Sequence, residues 1–133
     1  MGELKKREEF KSDKSRVFQT IKDRLLDNSK PTGAENQYVI DNLGVTMTYT
    51  IKEIVENEKM YIDLNSKSID GYLNFDFGDT NSGSFVDVDM KLHNKSLFGG
   101  LMNFVMDVEK LENKLVYELK KELGELKNIN VFN

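Results

Sequence analysis

The sequence predicts an α+β fold: a curved antiparallel sheet of about six strands wrapped around a long C-terminal helix, with one N-terminal helix between strands 1 and 2. Three patterns predict it. From Tyr38 to Leu92 apolar residues recur at every second position in short runs separated by polar turns, the period of half-buried strands. From Leu97 to Leu126 the period changes: Leu101, Phe104, Val108, Leu111, Leu115, Leu119, Leu123 and Leu126 recur at three- and four-residue steps, which aligns them along one side of a helix. A shorter stretch with helical spacing, Val17, Phe18, Ile21 and Leu25, precedes the strands.

Taken in order, Glu3 to Lys11 is charged, with Leu4 and Phe10 as its apolar points, and is a strand only if neighbours complete it. Ser12 or Asp13 offers an N-cap for a helix that runs to about Asn28. Asn28 to Gln37, with Pro31 and Gly33, reads as a loop. Tyr38 to Ile40 and Val45 to Ile51 are strands around the turn Asp41-Asn42-Leu43-Gly44. Met60, Ile62 and Leu64 follow the turn Glu56 to Lys59; Leu73, Phe75 and Phe77 come next. Asp79-Thr80-Asn81-Ser82-Gly83 then leads into Val86, Val88, Met90 and Leu92. Short turns between successive strands imply an antiparallel meander.

Composition narrows the function. At 133 residues the chain fits one domain, residues 1–133. A formal net charge of -4 argues against a nucleic-acid partner, which requires a basic footprint on phosphates. There is no cysteine, hence no disulfide, thiol nucleophile or thiolate metal site. No apolar run approaches the roughly 20 residues that span a bilayer, and the N-terminus lacks a signal-peptide core, so no stable membrane insertion and a cytoplasmic location are expected.

A sheet with one apolar face needs a cover, and only the C-terminal helix is long enough to supply it. The predicted inward set is Met47, Tyr49, Ile51, Ile62, Leu64, Leu73, Phe75, Phe77, Val88 and Met90; Thr46, Thr48, Thr50, Asn74, Asp87 and Asp89 face out. With this order of elements the chain resembles the START-like superfamily (SRPBCC, Bet v 1-like, helix-grip). Lys14 to Asp23, with Val17-Phe18 at its start, is similar to the first helix of that family. Gly83-Ser84-Phe85-Val86-Asp87-Val88 is similar to its late strand, and Leu97-Phe98-Gly99-Gly100-Leu101 with the Leu-spaced helix to its C-terminal element. The resemblance implies a fold that encloses lipids, sterols, polyketides or quinone-like molecules between sheet and helix; some members are cyclases and some co-chaperones. Asn28 to Gln37 leaves little room for the usual second small helix, which argues against a large cavity.

The candidate ligand-binding residues are Phe98, Leu101, Met102 and Val105 on the helix, facing Met47, Tyr49, Ile62, Phe75, Phe77, Val88 and Met90 on the sheet. Two readings stay open: these side chains line an adaptable apolar pocket, or they fill a close-packed core. Tyr38 and Tyr49 are the best polar handles, although a buried hydroxyl also finds water or a backbone carbonyl. His93, the lone histidine, points away from the core by strand parity. Asp76, Asp79, Asp87 and Asp89 gather on one hairpin without the spacing of a calcium loop. Gly99-Gly100 serves either a flexible entrance or a close helix approach. No Asp, Glu or His is read as facing inward, so the sequence favours non-enzymatic binding of a small hydrophobic molecule, with no cofactor and no metal. A cyclase- or hydratase-type enzyme and a co-chaperone-like interaction module with a filled core are the alternatives. Oligomeric state is left open.

Overall fold

A computed structural model describes residues 2–42, 45–65, 69–94 and 108–126. The elements are β1 (Gly2–Phe10), α1 (Lys14–Asp27), β2 (Lys30–Pro31), β3 (Gln37–Asn42), β4 (Val45–Val55), β5 (Lys59–Asn65), β6 (Ile69–Asp79), β7 (Ser84–Asn94) and α2 (Val108–Glu122). All strands pair antiparallel in one sheet, ordered β1-β7-β6-β5-β4-β3-β2. From β3 to β7 this is the predicted meander. The segment read as a loop adds a two-residue strand at one edge, where Pro31 is tolerated because its missing N–H can face away from the ladder. No second helix interrupts that segment, as its length suggested. Asp41 and Asn42 belong to β3 rather than to the predicted turn; Leu43 and Gly44 lie outside the described residues.

β1 and β2 occupy opposite edges, so the connection that carries α1 must cross the sheet. Asp13 caps α1 by accepting a hydrogen bond from the N–H of Arg16 at 2.9 Å. Val17, Phe18 and Ile21 are buried, and Phe18 meets Phe77 edge-to-face with ring centroids 5.1 Å apart. In β4 the register slips between Ile51 and Glu53, leaving Lys52 as the extra residue of a bulge. A bulge bends its strand and increases the local twist.

The predicted helix from Leu97 to Leu126 is described only from Val108 and ends at Glu122. Gly124, at φ 74°, accounts for the early end. The N–H of Gly124 reaches the carbonyl of Lys121 and that of Glu125 reaches Lys120, a Schellman closure that needs a left-handed residue. This reversal aims Glu125 at the start of α1, where its carboxylate accepts from Lys11 N, Ser12 N and Ser12 Oγ at 2.7–2.9 Å. Burial works to raise the Glu125 carboxyl, but these donors outweigh it and hold it below its ordinary value. The two ends of the structure are thereby tied together.

Candidate functional site

Of the predicted ligand-binding residues, Tyr49, Ile62, Phe75, Phe77, Val88 and Met90 are buried in the core and Met47 is half-buried. Phe98, Leu101, Met102 and Val105, together with Gly99-Gly100, lie outside the described residues. The inner sheet face therefore carries the apolar set that strand parity gave it. Beside it lies a half-open cavity of about 440 Å³ between the sheet and both helices. Ile62 and Phe75 line it from the predicted set; Ile40 and Leu73 join them from the sheet and Leu115 and Leu119 from α2. The α1 side contributes Ile21 and Leu25 and, as its polar members, Arg24 and Asn28. Leu25, Ile40, Leu73 and Leu115 pack on the core yet remain only partly covered. They leave apolar surface that a guest molecule would remove from water.

Tyr49 is not the polar handle of this cavity. Its hydroxyl is held within 2.7 Å of Ser29 Oγ and donates to the carbonyl of Leu25 at 3.3 Å, while its ring stacks on Tyr38. The accessible polar end is instead made by Arg24 and Asn28, four residues apart on one side of α1. Arg24 Nη1 donates to Glu122 Oε1 at 2.7 Å, and Nη2 lies 4.0 Å from Glu118 Oε1. Neither residue belongs to the site predicted from the sequence. Their only signal is that Arg24 follows Ile21 by three positions and Asn28 follows Leu25 by three, which keeps them beside the apolar stripe.

The expectation that no carboxylate faces inward is overturned by Glu112 of α2, whose exposure is 0%. The inward stripe of α2 runs Val108, Glu112, Leu115, Leu119 and Leu123, whereas the predicted Leu111 is 42% exposed. Both series have helical spacing, and only the neighbouring strand chooses between them. The face of β1 that meets α2 carries Lys6 and Glu8; Lys6 Nζ lies 3.2 Å from Glu8 Oε2 and 3.7 Å from Glu112 Oε1. Among the described residues neither oxygen of Glu112 accepts a hydrogen bond. Burial pushes its carboxyl up to about 7, the carboxylate of Glu8 adds to the rise, and the Lys6 ammonium opposes it. Glu112 does not line the described cavity, so it supplies no acid there.

The outer carboxylates are satisfied by neighbours. Arg7 forks onto Asp87 with contacts of 2.7 and 2.8 Å and stacks over the Phe85 ring. Tyr61 donates to Asp76 at 2.8 Å, so the facing Asp76 and Asp87 have separate partners. His93 is exposed, as parity predicted. No group of three or more metal-ligating side chains occurs among the described residues, and no helix among them is long and apolar enough to cross a membrane.

No protein-family model and no curated protein matches the sequence. Solved structures do match. The Aha1 dimer from Colwellia psychrerythraea is similar at a TM-score of 0.64 and 13% identity, covering 90% of this chain and 95% of that one. A START superfamily protein from Mycobacterium smegmatis is similar at a TM-score of 0.56 and 14% identity, covering 91% and 93%. The chain has the START-like, helix-grip fold. A Mesorhizobium loti protein with a TM-score of 0.59 and 12% identity, covering 87% of this chain and 98% of its own, is similar over nearly the same span. At such identities the likeness establishes the START-like architecture and leaves the function to the chain's own residues.

Proposed function

We propose that the protein binds a small hydrophobic molecule in the cavity between α1, α2 and the inner sheet face. The supporting observation is the lining: apolar side chains throughout, several only partly covered, with Arg24 and Asn28 as the polar exceptions. Its volume of about 440 Å³ falls within the range of small-molecule sites. Burial of apolar surface supplies the affinity, and the polar end supplies orientation. Binding rather than catalysis is favoured because Glu112, the buried acid, lies at the β1–α2 contact and not in the cavity lining. A co-chaperone-like module is less well supported. The outer sheet face carries paired charges and tyrosines, including Arg7–Asp87, Lys52–Asp63 and Tyr61–Asp76, rather than an apolar patch.

Leu115→Trp fills the cavity from α2, and Tyr117→Trp places the same ring at an exposed position of that helix. In a titration with an anilinonaphthalene dye, the first variant is expected to lose roughly tenfold or more in affinity and the second to keep the wild-type value. Equal dye binding by Leu115→Trp and wild type, with both folded by circular dichroism, would remove the cavity as the site.

A further inference from the structure

We infer that the cavity selects a neutral, oxygen-bearing apolar molecule (an amide, ketone or ester) over a carboxylate of the same length. This inference rests on the proposed binding function and concerns its polar end. Arg24 is the cation of the lining, but two α2 carboxylates already flank it, Glu122 at 2.7 Å and Glu118 at 4.0 Å. The local sum is one positive and two negative charges. A ligand carboxylate would enter as a third anion around one guanidinium, and like charges at this range repel.

A guanidinium carries five N–H groups. Among the described residues only Nη1 of Arg24 makes a hydrogen bond, because 4.0 Å to Glu118 is too long for one. The donors at Nε and Nη2 therefore remain unspent while the charge is balanced. Asn28 donates from Nδ2 to the carbonyl of Arg24 at 2.8 Å. A carbonyl can only accept, so this bond fixes the amide orientation and leaves Oδ1 as a spare acceptor. The lining thus offers N–H donors on Arg24 and an amide oxygen on Asn28, the complement of a neutral carboxamide; a ketone or ester uses the donors alone. A carboxylate offers only acceptors and would face the oxygen of Asn28 unpaired.

The test uses the intact chain, with decanamide and decanoate displacing the anilinonaphthalene dye at about pH 8, where the acid is ionised. Decanamide is expected to bind roughly tenfold more tightly than decanoate in the wild type. Arg24→Met removes the donors and leaves Glu118 and Glu122 without their cation, so it should weaken decanamide several-fold and should not improve decanoate. The double variant Glu118→Gln/Glu122→Gln, which frees the guanidinium charge, should improve decanoate by roughly tenfold and leave decanamide nearly unchanged. Decanoate binding as tightly as decanamide in the wild type overturns the inference, as does a decanoate affinity left unchanged by Glu118→Gln/Glu122→Gln. In both cases dye binding persists and the cavity proposal stands. Absence of dye binding by the folded wild type overturns both.

Discussion

Replacing Glu112 with Gln should make the protein more stable above pH 7, although the substitution removes a charged side chain that sits near a lysine. The carboxyl has 0% exposure, and its folded value of about 7 lies above the ordinary 4.5. Between those values the folded state holds a proton that the unfolded state has lost. The associated stability is complete below pH 4.5 and drains away as the pH rises through about 7. At ~1.4 kcal/mol per unit the gap sets an upper bound of about 3 kcal/mol, so the gain for Gln at pH 8.5 is expected to be ~1–3 kcal/mol. The amide is neutral at every pH and so escapes the burial penalty of the charged form. The lowered carboxyls of Asp13, Asp87 and Glu125 act in the opposite sense and at acid pH, outside this window. Urea unfolding at pH 5 and pH 8.5 should therefore show wild type and variant converging at the lower pH and separating at the higher. Parallel pH profiles would mean that Glu112 is ionised in the folded state without penalty.

Gly71→Ala is expected to destabilise the fold by ~3 kcal/mol or more. Gly71 lies in β6 opposite Leu64 of β5 and Leu92 of β7, at φ 150°, a conformation that side chains rarely adopt. A Cβ there would stand 1.9 Å from the carbonyl oxygen of Lys91, a backbone atom that moves only if the β6–β7 ladder opens. Strain and collision therefore act together. The urea midpoint should fall with the slope unchanged; a shift worth less than about 0.5 kcal/mol would contradict this strand geometry.

These two residues also mark where the sequence stops being readable. Alternation from Tyr38 to Leu92 exposes the sheet because one face is buried, and a period of two leaves little freedom in which face that is. The signal fails where the backbone departs from regularity. Alternation in β4 breaks after Ile51 because Lys52 bulges, and the strand continues to Val55. In α2, Leu111 and Glu112 both fit a helical stripe with Leu115 and Leu119, and hydrophobicity alone selects Leu111. In the structure Glu112 faces β1, with Lys6 Nζ 3.7 Å from its Oε1, a long-range fact that no local period contains. Arg24 and Asn28 were invisible for a similar reason. On an isolated α1 they belong to its wet side, and they become cavity residues only because the chain crosses from one sheet edge to the other. The apolar inner face was legible, but of the sheet residues predicted for the site only Ile62 and Phe75 line the described cavity; Phe98, Leu101, Met102 and Val105 lie outside the described residues.

Native mass spectrometry of the freshly purified chain shows whether a small hydrophobic molecule occupies the space between α1, α2 and the sheet. A folded species heavier than the bare chain by the mass of a small organic molecule is expected, with that mass released on unfolding and absent from Leu115→Trp. A folded chain at its bare mass, which stays at that mass after incubation with decanamide, would contradict it and leave the cavity as a packing feature of the fold.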